Sequence, residues 1–173
     1  MYKKNTFKIV LLLSMMILLS CSQDRYKAEE FIKDGNKKIK LENYSGAIED
    51  YSKAIELYPE FANAYFSRGN AKFRLMDYHG ANKDYDKAIE FNPEYVDAYF
   101  NRGNIKIKLA DLSGAIEDYS RIIEIDGKNA DAFFTRGMAK FKLGDKTGAC
   151  LDWKEADENG NIQAADMINK YCK

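Results

Sequence analysis

Histidine is almost absent from this chain: His79 is the only one among 173 residues, and it reads as an exposed helix residue. With one imidazole, neither a Ser–His–Asp triad nor a His-based metal cluster can be assembled. Proline is confined to Pro59 and Pro93, tryptophan to Trp153, and cysteine to Cys21, Cys150 and Cys172. No charge sign dominates, since 27 basic residues face 27 acidic ones. A neutral chain argues against nucleic acid as the main partner. No Gly-rich phosphate loop is present, because the glycines lie 34 apart or inside helical patterns. No catalytic constellation, metal set or cofactor motif remains, so the chain reads as a non-enzyme. A long hydrophobic run is missing as well: the apolar stretch 9–19, broken by Ser14, is too short for a comfortable membrane span.

That stretch follows Lys3, Lys4 and Lys8, the positive region of a secretory signal. It ends in Leu18-Leu19-Ser20-Cys21, which resembles the bacterial lipoprotein box. The resemblance implies that 1–20 is a signal peptide cut before Cys21, whose thiol then carries diacylglycerol. An ordinary signal peptide or an uncleaved anchor helix is the alternative. Cleavage would remove three lysines, leaving 24 basic and 27 acidic residues, net −3. Residues 21–27 become a short lipidated tether, and two or three acyl chains hold far better than one. Ser22 resembles the residue that sorts enteric lipoproteins outward. The expected location is therefore the bacterial cell envelope, lipid-anchored, in the outer rather than the inner membrane.

What the chain has in abundance is repetition. Gly35, Gly69, Gly103 and Gly137 are spaced by 34. So are Ala47, Ala81, Ala115 and Ala149, and so are Tyr51, Tyr85, Tyr119 and Trp153. A fixed period of this size marks stacked supersecondary units. In the unit 62–95, Tyr65, Phe66, Gly69, Phe73 and Met76 recur at helical spacing, as do Ala81, Tyr85, Ala88 and Ile89. Asn43, Asp77, Asp111 and Asp145 stand where each second helix begins and suit an N-cap. Asn92-Pro93 reads as the cap and first turn of the next helix.

The period, the small residues and Asn92-Pro93 resemble the tetratricopeptide repeat. The resemblance implies an all-α, right-handed solenoid of four helix-turn-helix units, 28–61, 62–95, 96–129 and 130–163. Residues 164–173 read as a capping helix. A mid-helix Gly costs about 1 kcal/mol against Ala. Four such glycines imply a shared gain, read as close approach of the second helix at its alanine. Gly46, Gly80, Gly114 and Gly148 are expected to admit a bulky side chain from a neighbouring helix. Gly127 and Asn161, in place of proline, and Ile122, in place of alanine, bear on the tightness of the last two junctions.

In this family the first helix of each unit (helix A, the second being helix B) lines a concave groove. The matching residues fall into rows: Ile32, Phe66, Phe100 and Phe134; Asn36, Asn70, Asn104 and Met138; and Ile39, Phe73, Ile107 and Phe141. Lys40, Arg74, Lys108 and Lys142 form a basic margin, with Glu29, Asn63, Asp97 and Asp131 opposite. An aromatic floor beside amides is the composition of an interface hot spot. The expected function is therefore a protein-interaction scaffold binding a peptide or helix. A carrier for a small hydrophobic or glycan ligand is the alternative. The carboxylate clamp for chaperone C-termini is rejected, because Ile32 and Asp97 stand where that clamp has lysines.

Two further expectations concern pairing. Asp34 at the place of Arg68, Arg102 and Arg136 would meet Asp50 if pairs formed within a unit. Pairs are therefore expected between units: Asp50–Arg68, Asp84–Arg102 and Asp118–Arg136. Solvated arginines are the alternative. Cys150 and Cys172 lie 11 residues on either side of a turn near 161, which an antiparallel helix pair would bring opposite one another. A disulfide is expected there, with two free thiols as the alternative.

Overall fold

A computed structural model describes residues 23–172. The segment 1–20 and Cys21 lie outside the described residues. Those described form two compact units that meet in sequence between Asp77 and Tyr78. Both are built of helices, with no strand among the described residues. None of these helices is long and apolar enough to cross a membrane.

The first unit holds α1 (23–40), α2 (Tyr44–Leu57) and α3 (Ala62–Arg74). The α1–α2 turn places Glu42 at φ 58°, and Asn43 then caps α2 by accepting from the Gly46 amide at 3.0 Å. Two clusters make the core. Ala28, Ala54 and Ala64 form one; Ala47, Tyr51 and Ala71 form the other, with Ile32 and Ile39 against it.

The second unit holds α4 (Tyr78–Phe91), α5 (Val96–Lys108), α6 (Leu112–Ile125), α7 (Ala130–Leu143), α8 (Lys146–Glu158) and α9 (Ala164–Tyr171). Here α5–α6 and α7–α8 are successive helical hairpins, and α9 packs on α8. Their turns repeat the same device. Asp111 accepts from the Gly114 amide at 2.9 Å, and Asp145 from the Gly148 amide at 2.8 Å. The preceding turn residue is left-handed in both: Ala110 at φ 63° and Gly144 at φ 97°.

The glycine rows act through different partners from those expected. A Cβ on Gly103 would lie 2.9 Å from Tyr119 Cζ, and one on Gly137 2.6 Å from Trp153 Nε1. Gly35 seats Tyr51 in the same way, at 2.6 Å. The gain is the burial of a helix-B ring more than contact with the alanine. Gly46, Gly114 and Gly148 do not admit a neighbouring helix; their open side faces the cap residues Asn43, Asp111 and Asp145. Asn92 does not cap α5 either. Its Oδ1 accepts from the Glu94 amide at 3.2 Å, closing the turn, and Tyr95 occupies the N-cap without a side-chain bond. Ile122 is fully buried beside Tyr99, Tyr119 and Ala132, so its larger side chain fills the junction of repeats three and four.

The ion pairs form within hairpins, which corrects the expectation. Arg102 grips Asp118 with two bonds of 3.0 and 2.6 Å, and Arg136 grips Asp152 at 2.9 and 2.7 Å. The turn explains it: 102 and 118 lie equally far from residue 110, so antiparallel packing sets them face to face. Asp84–Arg102 and Asp118–Arg136 are thus replaced by Asp118–Arg102 and Asp152–Arg136. Between successive hairpins, Arg102 reaches the exposed Asp86 at 2.7 Å and Arg136 reaches Ser120 at 3.0 Å. In the first unit, Arg68 donates to Ser52 at 3.1 Å, and Asp50 has Lys38 Nζ 2.7 Å from its Oδ2. That contact is an ion pair rather than an aligned hydrogen bond. Lys106 and Lys140 stand at the same place beside Asp118 and Asp152, at 3.0 and 2.8 Å. The like-charge contact of Asp34 with Asp50 is avoided because Lys38 supplies the charge and Asp34 turns to Lys37 at 2.8 Å. The signal was in the sequence: Lys38, Lys72, Lys106 and Lys140 also recur at 34.

Candidate functional site

Helix α5 carries Phe100, Asn104, Ile107 and Lys108, and α7 carries Phe134, Met138 and Phe141. Their spacing sets them on one side of each helix, beside Gly103 and Gly137, whose seats hold the Tyr119 and Trp153 rings. The first aromatic of each pair is the deeper one: Tyr99 and Phe133 are 8% exposed, whereas Phe100 and Phe134 are half-buried. Phe100 meets the Tyr119 ring edge-on at 5.7 Å. Asn104, Ile107, Met138 and Phe141 are half-buried, and Lys108 and Lys142 are exposed. In the first unit, Phe66, Asn70 and Phe73 are half-buried on α3, with Ile32 and Ile39 on α1.

The amide row is oriented from behind. Tyr119 donates its hydroxyl to Asn104 Oδ1 at 2.9 Å, and Tyr51 does the same to Asn36 Oδ1 at 2.7 Å. Burial, with the Asp118 charge added, pushes the Tyr119 phenol well above its ordinary value. Burial and then Asp50 push Tyr51 up to about 12. Both phenols therefore stay protonated and remain donors at physiological pH. Each asparagine carbonyl thereby takes one hydrogen bond that fixes its orientation, and its two Nδ2 hydrogens are left to offer a ligand. The arrangement ends at repeat four, where Met138 replaces asparagine and Trp153 replaces tyrosine. The indole Nε1 is buried there without an acceptor among the described residues.

Arg102 is half-buried between two carboxylates. Burial alone would lower its pKa, but the bonds and charge of Asp118, then of Asp86, raise it. Its role is to lock α5 to α6. Cys150 on α8 and Cys172 at the end of α9 are joined by a disulfide, with Cα atoms 5.6 Å apart. Phe141 is partly withdrawn from the helix-A face by this end of the chain, stacking on Tyr171 at 4.6 Å and Trp153 at 5.5 Å.

Sequence reasoning missed one cavity. In the first unit, Arg25, Glu29, Ile32, Phe61 and Asn63 surround a shallow hollow of about 320 Å³. Arg25 precedes the first repeat, and Phe61, which Tyr95 follows at 34 residues, lies at the start of α3 outside the helix-A rows. No cluster of His, Cys, Asp or Glu able to hold a metal occurs among the described residues.

Known proteins carry the same pattern. The TPR repeat family matches residues 35–75 and 77–109, and the tetratricopeptide repeat matches 96–129. Among solved structures, the first TPR of Spaghetti (RPAP3), bound to the HSP90 peptide SRMEEVD, is 30% identical. The match covers 69% of this chain and 95% of that one, with a TM-score of 0.66. MamA is 27% identical over 80% of this chain and 81% of its own, with a TM-score of 0.74. A tetratricopeptide repeat protein from Parabacteroides merdae shares the fold at 18% identity, covering 80% of this chain and 56% of its own, with a TM-score of 0.75. No curated protein matches the chain in sequence.

Proposed function

Because this chain belongs to the tetratricopeptide repeat family, we propose that it is a non-enzymatic scaffold that holds an extended segment of a partner protein on its helix-A faces. The observation that carries the reading is the phenol-locked asparagine. Asn104 offers amide hydrogens beside the half-buried ring of Phe100, so a backbone carbonyl can be gripped while a neighbouring side chain packs on the ring. Lys108 and Lys142 at the basic margin favour acidic side chains on the bound segment. A neighbour of 30% identity solved with a peptide supports a peptide as the class of occupant. That peptide's acidic terminus is not expected here, with Ile32 and Asp97 at the clamp positions.

The scaffold works in the bacterial envelope, held by lipid on Cys21; the support is the leader sequence alone. Loss of membrane fractionation in Cys21→Ala tests it, and unchanged fractionation would remove the anchor from the account. The hollow at Ile32 and Phe61 favours a second reading, a carrier for a small hydrophobic or glycan ligand, since about 300 Å³ is the low end for ligand pockets. Native mass spectrometry of the purified chain would reveal such a ligand as added mass.

Amine crosslinking in whole cells, followed by mass spectrometry, tests the main reading. Lys108 and Lys142 should dominate links to one partner segment, over the exposed Lys83 and Lys154 on helices B. Even labelling of all four would contradict it.

A further inference from the structure

The 34-residue register does not stop at 163. Ala164 follows Ala62, Val96 and Ala130, the first residues of α3, α5 and α7. Helix α9 thus stands in the register of a fifth helix A. Tyr171 stands where Gly35, Gly69, Gly103 and Gly137 stand, and Cys172 where the asparagine row runs. The glycine position here carries a ring of its own, which turns back onto Phe141 and reaches Trp153 at 6.1 Å.

Little else holds this helix. It has eight residues, and its N-cap, Gln163, makes no side-chain bond. Only Ala164 is fully buried; Met167, Ile168 and Cys172 are half-buried, and Tyr171 is 37% exposed. An isolated helix of that length does not hold in water. Its far end is fixed by the bond to Cys150, which closes a loop across a separation of 22 residues.

We propose that α9 is a redox-released cover on the last helix-A face, and that a dithiol reductant uncovers Phe141 for the partner segment. The value to the partner rests on the reading of that face given above; the release itself does not. A thiolate of the dithiol attacks Cys172 Sγ, the Cys150–Cys172 bond breaks, and Cys150 leaves as a thiolate. The second thiol then attacks the mixed disulfide, closes its own ring and releases Cys172. The dithiol loses two electrons, the cystine gains them, and the two cysteines take up the two protons. Tyr171 then leaves Phe141, and the edge of Trp153 opens to water.

Hydrogen exchange on the full chain, oxidised against dithiothreitol-treated, reads the release directly. A closed loop of about 20 residues holds the open state down on the order of 100-fold, so amides of 165–171 should exchange about that much faster once reduced. Exchange in α5 and α6 should not change. Trp153, the only tryptophan, should shift its emission to the red, and Cys172→Ser should reproduce both effects without reductant. Unchanged exchange at 165–171 would overturn the proposal, because α9 would then stay docked without the bond. Equal loss of protection across α4–α8 would overturn it too, since the bond would then hold the unit rather than its cover. Asn104 variants that fail to alter partner binding would count against the scaffold reading and leave the exchange result standing.

Discussion

Repeats three and four are built to one plan and differ at the points that matter. Repeat three pairs Asn104 with Tyr119, bridges Arg102 to a second carboxylate at Asp86, and bends through a strained Ala110. Repeat four has Met138 and Trp153, leaves Arg136 with Ser120 as its outer contact, and bends through Gly144. It also carries the disulfide to α9. The hairpin that keeps a polar, oriented amide accepts a backbone cost at its turn. The hairpin bonded to α9 exchanges that amide for apolar packing. One scaffold therefore holds a recognition element beside a closing element, and the residues that differ show which is which.

The largest effect should come from the buried carboxylates. Removing one partner of a buried pair costs about 3–5 kcal/mol. Asp152→Ala strands both Arg136 and Lys140, whereas after Asp118→Ala the guanidinium of Arg102 still has Asp86. Asp152→Ala should therefore lower stability in urea melts by about 1 kcal/mol more than Asp118→Ala. Equal losses would show that the Asp86 contact adds nothing.

Next comes the seat of the ring. Both Gly103→Ala and Gly137→Ala overpack, at a cost of about 1–3 kcal/mol. Gly137→Ala should be the worse, because its methyl meets two indole atoms at 2.6 and 2.7 Å and the Ala149 carbonyl oxygen at 3.2 Å. The Gly103 methyl meets the far edge of one phenol at 2.9 Å. The reverse order in thermal melts would mean that the tryptophan can move where the tyrosine cannot.

The turns give the smallest effect, with opposite signs. A left-handed residue other than glycine costs about 1–2 kcal/mol. Ala110→Gly should stabilise by up to about 1 kcal/mol, and Gly144→Ala should destabilise by a similar amount. No atom lies within 4 Å of a Cβ at 144, so that loss would be conformational alone. If both substitutions destabilise, the α5–α6 turn is held by something other than its dihedrals.

Much of this was legible in advance. The period alone placed the hairpins, and Asn43, Asp111 and Asp145 announced the helix starts, because a cap depends only on a few neighbouring residues. The ion pairs depart from the expectation built on Asp34, the exceptional position, because the lysine row one turn further along α1, α5 and α7 supplies the charge that faces each aspartate. What α9 does was hidden for a different reason. Its register is visible by adding 34 to 130, but the meaning of a tyrosine at a glycine position depends on its contacts with Phe141 and Trp153, which spacing does not show. The locked amide was out of reach as well, since spacing places Asn104 and Tyr119 in one unit without showing which atom of the amide is taken.

That atom carries the central claim. Asn104→Asp keeps an oxygen for the Tyr119 hydroxyl and removes the two Nδ2 hydrogens. Phe100→Ala is less informative, because Phe100 also braces Tyr119. The decisive measurement is the affinity of wild type and Asn104→Asp for a synthetic peptide of the segment that crosslinks to Lys108, with a thermal melt of each. The account predicts binding weaker by about tenfold, the worth of one lost hydrogen bond, at a nearly unchanged melting temperature. Equal affinity at equal stability would contradict it.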